Sequence, residues 1–463
     1  YAGTSADVSR RAGFPWDLRP WAVYNRAMVT FLTLFLGLVV GGQELELTVA
    51  APVVRVEVRL DEKPVGRLDG PPWKLAVDLG ARLLPHRLSA VGFDAQGREV
   101  ARAEQWVNLP RARAEATLSV TPGAGDQPAS ARLDFRHVTG EAPVRTRLEL
   151  DGRELPHTDP TRVPLPPAAP EDAALLVAEV EFPDGVVARD ERVWGGRYGT
   201  SQEVELTAVP VAAPRDGELT VADFTAHTAD GHRPLSIVAV EHGALDLVVV
   251  AEPETRAVFG RLNTDAAFRR RRWGVASRWR LGPRDRIRFV SPHLERLPTG
   301  ASPVEVFAVT QPLDAEDGNW PEILTGVALG ITPSKTRLAT AVAVAAREAA
   351  AGDRARAVLL VLAEPDRPDA SRFAVDEVRA YLAALAVPLV VWHTDLTLAS
   401  GVLEDRRPYS VETAWGRAVD VSSPRRFRQA LLELQKLLDR QTVVFVAGSV
   451  LPGEITVSAA STP

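Results

Sequence analysis

The stretch LDLVVVAEPETR, residues 245–256, opens on seven residues with almost no alternation: Leu245–Ala251 is apolar at nearly every position. A strand with one wet face alternates polar and apolar, whereas a short continuous run bounded by turn formers fits a strand buried on both faces. Similar runs stand at Ile287–Val290, Val304–Val309, Ala357–Ala363, Val387–Trp392 and Thr442–Ala447. Between them lie Leu338–Ala351, Arg372–Ala386 and Pro424–Leu438, helical stretches; the last two carry apolar residues three and four apart and charge on the other face. Strand–helix alternation predicts an α/β domain over 215–463, with a β lead-in at 215–244, a mostly parallel central sheet and helices on both faces. Ligands of such sheets gather at the carboxyl ends of the strands, which points to the loops after Ala251 and Ala363.

Upstream the period changes to two. VRVEVRLDEKPVGRLDGPPWKLAVDL (54–79) reads as three strands joined by tight turns, and residues 86–108 add a hairpin turning at Asp94-Ala95-Gln96-Gly97. Trp73 and Trp106 are candidate core anchors. The pattern repeats: Val100-Ala101-Arg102-Ala103-Glu104 returns as Val187-Ala188-Arg189-Asp190-Glu191, and Leu60-Asp61 as Leu150-Asp151. A repeat this long is a duplicated domain rather than a solenoid unit. Two all-β immunoglobulin-like sandwiches are therefore expected, at 43–113 and 114–214, with a long loop in the Pro-rich stretch from Pro156 to Pro170.

The run from Met28 to Gly42 is the most hydrophobic in the chain. It is shorter than the roughly 20 residues of a membrane span and fits a signal-peptide core. The expectation is a leader at 1–42, cleaved before Gln43, an exported protein and no stable transmembrane span after its removal. Residues 1–27 read either as a long charged n-region or as untranslated sequence ahead of a start at Met28, the single methionine, which favours the second. There are no cysteines, which removes disulfides, zinc–thiolate sites and thiol catalysis. The 54 basic and 60 acidic residues leave a net charge of −6 and give no general case for nucleic acid.

GELTVADFTAHTADGHRPLSIVAVEHG (217–243) resembles the lead-in of von Willebrand factor A (VWFA)-related proteins of the Acidobacterial type, through Leu219-Thr220, Asp223-Phe224, Asp230-Gly231 and Ile237. The resemblance runs from about 217 to 460 and implies a Rossmann-like VWFA domain whose first strand, LDLVVVA, leads into a metal-ion-dependent adhesion site. That site holds Mg²⁺, a hard ion wanting six oxygens in octahedral array. Carried onto this chain, the family's Asp position reads Glu252, its first Ser position Glu254, its second Arg256, its Thr position Thr336 and its last Asp position Glu364. Thr336 alone is unchanged. A longer carboxylate and a fixed guanidinium both work against the ion, so the loop is expected to be degenerate and metal-free, with Arg256 pairing Glu252, Glu254 or Glu364 in its place.

Residues 256–288 carry eleven arginines against two aspartates. AFRRRRWGVASRWRL reads as an amphipathic helix with solvated arginines, and Arg269, Arg270, Arg271 and Arg272 are its candidate contacts for an anionic glycan or acidic protein patch; no nucleic acid is expected. Catalytic signatures such as Gly-x-Ser-x-Gly, His-Glu-x-x-His, a phosphate loop or a dinucleotide fingerprint are absent from the sequence. The function expected is an exported, non-enzymatic interaction protein with a protein or glycan partner in the cell envelope and no cofactor. The alternatives are a scaffold subunit of an envelope complex and an enzyme with a spatially assembled site. The sequence names neither the ligand nor the oligomeric state.

Overall fold

The computed structural model describes residues 28–459 apart from 34, 36, 110–113, 122–128, 138–141, 151–152, 167–172, 184–186, 196–205, 213–218, 242–244, 256–257, 261–284, 298–303, 311–312, 314–335, 352–353, 364–368, 395–407 and 449. Seven strands build the first sandwich: β1 (Met28–Phe31), β2 (Gly42–Ala50), β3 (Arg55–Leu60), β4 (Lys63–Leu68), β5 (Lys74–Asp78), β6 (His86–Phe93) and β7 (Glu99–Val107). They form two sheets, ordered β1-β2-β5 and β4-β3-β6-β7. The alternation read from sequence sets the inward faces: Leu45 and Leu47 on β2, Val56 and Val58 on β3, and Val77 on β5 are buried. Asp61 and Glu62 both take positive φ, 49° and 63°, the backbone of the two-residue turn that matches strand twist. At the 94–97 turn the Asp94 carboxylate accepts the Gln96 and Arg98 amides, each at 2.9 Å.

The first strand lies ahead of the expected boundary at 43. Met28–Phe31 pairs antiparallel with β2, Met28 opposite Ala50 and Phe31 opposite Leu47. Val29 and Phe31 are buried, and Val29 lies over Gly92 of β6, where an added Cβ would come within 2.8 Å of Val29 Cγ2. Met28–Phe31, the start of the run read as a leader core, is thus a strand of the sandwich. Apolarity over a short stretch is shared by signal cores and buried strands, so the run alone could not choose between them.

The second sandwich repeats the arrangement with β8 (Ala114–Thr121), β9 (Ser130–His137), β10 (Arg145–Leu150), β11 (Arg153–Glu154), β12 (Val163–Pro164), β13 (Ala173–Glu181) and β14 (Val187–Gly195). Its sheets are β12-β9-β8 and β11-β10-β13-β14. In both modules the first, second and fifth strands make one sheet and the other four make its partner, an immunoglobulin/fibronectin-III-like sandwich. The repeated Val100–Glu104 and Val187–Glu191 motifs fall on the same, seventh strand, and Leu60 and Leu150 end the same, third strand. The Pro-rich stretch carries the short strand β12, where Val163 is buried.

The remainder comprises β15 (Leu206–Ala212), β16 (Phe224–Thr228), β17 (Pro234–Leu235), β18 (Ile237–Glu241), β19 (Leu245–Ala251), β20 (Arg286–Leu297), β21 (Val304–Val309), α1 (Leu338–Ala349), β22 (Ala355–Leu362), α2 (Val375–Ala384), β23 (Leu389–His393), β24 (Ser410–Thr413), β25 (Gly416–Asp420), α3 (Pro424–Asp439), β26 (Gln441–Ala447) and β27 (Ile455–Ala459). A seven-stranded sheet is ordered β21-β20-β19-β22-β23-β25-β24; its inner pairs are parallel and the pair at each edge is antiparallel. Residues of α1 and α2 share a core with Val248, Val250, Val358 and Leu360, and α3 shares one with the alternate residues Leu247, Val249, Leu359 and Val361. Leu38 and Val40 pack against the first of these cores, and Val39 is held there by both side-chain ends of Asn108, at 2.7 and 2.8 Å.

The expected fold class is corrected here. Strand far outweighs helix among the described residues, and 215–463 is not the Rossmann-like VWFA domain that the alternation and the resemblance implied. Together with β15, which precedes it in the chain, it forms two further, purely antiparallel sheets among the described residues, β15-β26-β18 and β17-β16-β27. Thr442–Ala447, expected in the parallel sheet, is the centre of the first of these. The physical reason is that a run buried on both faces reports burial, and is silent on the direction of its neighbours.

Candidate functional site

Buried polar residues gather where the parallel strands end. Glu252 follows β19; His393 and Thr394 end and follow β23; Asp420 ends β25, with Ser422 and Ser423 beyond it; Thr255 and Thr336 complete the group, all under a tenth exposed. Burial of so many polar groups is tolerable only if they are hydrogen-bonded, and the bonds define what the edge does.

Glu252 turns inward. Its amide donates to Val361 O at 3.0 Å, and one carboxylate oxygen accepts the Ala363 amide at 2.6 Å, so the side chain ties the end of β19 to the end of β22. Thr255 closes the turn, donating its hydroxyl to Glu252 O at 2.6 Å. Glu254 is half-buried on the same turn. Thr336 is buried two residues ahead of α1, and its carbonyl accepts the Ala370 amide at 2.9 Å. Of the expected set, Glu252 and Glu254 share one turn and Thr336 stands ahead of α1, whereas Arg256, Glu364 and Arg269–Arg272 lie outside the described residues. The Arg256 pairing and the polyanion contact of the arginine run lie there with them.

Asp369 was missed from sequence. Its two oxygens accept the Leu338 and Ala339 amides, each at 2.8 Å, and Ser371 Oγ accepts the Thr340 amide at 3.0 Å. Thr340 Oγ1 returns a bond from the Arg372 amide at 3.3 Å. The loop at 369–372 thereby occupies the first turn of α1, where unpaired amides and the helix dipole favour negative charge. Asp369-Ala370-Ser371 looks like a local turn in the sequence, and nothing in it points to a helix some thirty residues upstream.

The far side of the edge holds a second group. Asp420 accepts the Ser422 amide at 2.8 Å and pairs with Arg426 from the first turn of α3, whose N-cap is Ser423. His393 stands opposite Asp420 in register, and its Nε2 is buried with no hydrogen-bond partner. Burial holds this imidazole below its ordinary value, against the pull of the Asp420 carboxylate, and Arg426 pushes the same way as burial.

Among the described residues no group of three or more His, Cys, Asp or Glu is placed to hold a metal ion, and no helix is long and apolar enough to cross a membrane. Neither statement reaches the undescribed Glu364.

No family model matches the sequence, and no curated protein matches it. Solved structures that are similar include the fibronectin(III)-like modules of Clostridium thermocellum CbhA, at 17% identity over 17% of this chain and 93% of that one, with TM-score 0.16. The central fibronectin-III array of RIM-binding protein matches at 12% identity over 44% of this chain and 78% of that one, TM-score 0.22. Proximal thread matrix protein 1 from the mussel byssus matches at 12% over 47% of this chain and 49% of that one, TM-score 0.27. The assignment of the two sandwiches rests on their own strand order.

Proposed function

We propose that this chain is a non-enzymatic interaction protein that engages a protein or glycan partner with the loops at the carboxyl edge of its seven-stranded sheet. The observation that supports this most is the Glu252–Ala363 bond of 2.6 Å. A carboxylate committed to a backbone amide, with the residue only 2% exposed, is a brace for a loop and a poor general acid or base. Asp369 and Asp420 are committed in the same way, to the starts of α1 and α3. Side chains of this kind hold loops in one conformation, which lowers the entropy lost when a partner docks. The tandem sandwiches are consistent with a module array that presents such a surface, and the reading makes no use of export.

No metal is required at the loop. The Ala363 amide already engages one oxygen of the Glu252 carboxylate and fixes its orientation, so an ion drawing that carboxylate away would disturb the bond. Adding Mg²⁺ should leave the Ala363 amide resonance in place, and a saturable shift there would reinstate a metal site.

The test is site-specific photo-crosslinking in the native cell fraction. A crosslinker at exposed Arg372, beside the α1 cap, should give one saturable adduct that excess unlabelled chain competes away. Crosslinkers at exposed Arg67 and Arg132 on the sandwiches serve as controls. No competed adduct at Arg372, or the same adduct from all three positions, would overturn the proposal.

A further inference from the structure

The opposite, amino end of the same sheet carries a different electrostatic arrangement. Asp246, 3% exposed, is flanked in register by Arg286 on β20 and Arg356 on β22. Two residues further along β20, Arg288 Nη2 lies 3.7 Å from Asp246 Oδ1, and its Nη1 lies 2.8 Å from Glu348 Oε2 at the end of α1. The same guanidinium donates to Glu348 O at 2.8 Å, capping that helix. Arg356 donates to Ala208 O at 3.0 Å, and Gln441 brackets its backbone with bonds of 2.9 and 3.1 Å. Arg354 precedes β22 and acts on both Asp246 and Arg286. Arg347 lies 3.8 Å from Glu348.

The acids facing this cluster are Asp246, Glu348 and Asp285, and the Asp285 carboxylate accepts the Leu245 amide at 2.9 Å. Against them stand Arg286, Arg288, Arg347, Arg354 and Arg356, so among the described residues of this cluster positive charge is in excess. Arg286 differs from the rest. It is partly buried, and among the described residues it has neither a hydrogen bond nor an ion pair within 4.0 Å. Burial and the neighbouring Arg354 and Arg288 all disfavour its charged form, and Asp246 alone opposes them. A guanidinium held there without a partner among the described residues presents donors in a fork that suits two oxygens of one anion.

We propose that the amino end of the seven-stranded sheet is an oxyanion-binding site, with Arg286 as the principal donor and Arg354 beside it. The ligand class is a group with two or more charged oxygens in one plane or face: a carboxylate, a sulfate or a phosphate. This inference is independent of the reading at the carboxyl edge, since it uses other residues and other strand ends.

The test is calorimetric titration of the full chain with inorganic phosphate, sulfate and acetate, at constant ionic strength against chloride. Saturable binding is expected. Preference for phosphate or sulfate would identify a phosphoryl or sulfated ligand, and preference for acetate a carboxylated one. R286Q should weaken binding about tenfold or more, the scale of one charge-assisted bond, while R67Q on the first sandwich should leave it unchanged. R286K, which keeps the charge but loses the fork, should fall between. In the absence of these anions R286Q should keep or raise Tm, because it removes an uncompensated charge. The proposal is overturned by no saturable binding, by equal binding in R286Q, or by a lower Tm of R286Q in chloride, which would make Arg286 a structural residue.

Discussion

Gly92 and Val29 provide a quantitative check on whether Met28–Phe31 is a strand of the folded protein. A Cβ built at Gly92 meets Val29 Cγ2 at 2.8 Å and both Val53 methyls at 3.1 Å, well inside ordinary carbon contact. Gly92→Ala should therefore cost about 1–3 kcal/mol through overpacking. Val29→Ala removes a side chain that is 5% exposed and should cost about 2 kcal/mol. The double variant removes the closest clash, leaving only Val53, so its cost should fall short of the sum by about 1 kcal/mol. Phe31→Ala, at a position 6% exposed, should cost about 3–5 kcal/mol. The assay is native-state hydrogen exchange of peptides from β6, which reports local opening of this sandwich without assuming that the whole chain unfolds in one step. A loss of 2 kcal/mol appears there as about a 30-fold rise in the opening equilibrium. If the two single variants add within about 0.5 kcal/mol, Val29 does not lie over Gly92. If Phe31→Ala also leaves exchange unchanged, the run is not a strand of the native sandwich.

Asp369→Ala should cost about 1 kcal/mol by removing the acceptor of the Leu338 and Ala339 amides; faster exchange confined to the first turn of α1 would confirm it, and unchanged exchange would refute it. Glu252→Asp keeps the charge but shortens the reach to Ala363, so it should cost about 1–2 kcal/mol, close to Glu252→Gln; a neutral Asp variant would mean that charge alone matters. His393 has a folded value held below its ordinary 6.5, so the unfolded chain binds the extra proton. Stability should then fall as pH drops below 6.5 towards the folded value, and His393→Phe should flatten that slope in urea titrations run across the window. An unchanged slope would remove His393 from the account.

The sandwiches were the most legible part of the sequence because their information is local. Alternation over β2 and β3, the Asp61-Glu62 turn and the Asp94–Gly97 turn are each written within a few residues. The duplication was legible too, since the repeated Val100–Glu104 and Val187–Glu191 motifs occupy one topological position. Strand direction was not legible. The side chains of β26 are as apolar as those of β22, yet one strand is antiparallel to both neighbours and the other is parallel to both. The caps were also invisible. Asp369 acts on α1 and Glu252 on β22 across large sequence separations, and no periodicity carries such a pairing.

Glu252 stands just after the strand Leu245–Ala251, and its bonds there differ from those its sequence context suggested. In the sequence it stands where a shorter acid would suit a rigid octahedral ion, so the extra methylene counts as damage. In the fold, Ala251 lies opposite Val361, which sets position 252 against Leu362, and the amide that needs an acceptor is one residue further, at Ala363. Neighbouring strands are about 4.8 Å apart, and the diagonal adds to that distance. The longer carboxylate spans it and arrives at 2.6 Å, while its own amide holds Val361 O at 3.0 Å. One residue thus closes both strand ends after the ladder has finished, at the point where two loops diverge. The length of the Glu252 side chain is what lets it reach the neighbouring strand end, so in this fold the residue acts as the base of a rigid loop.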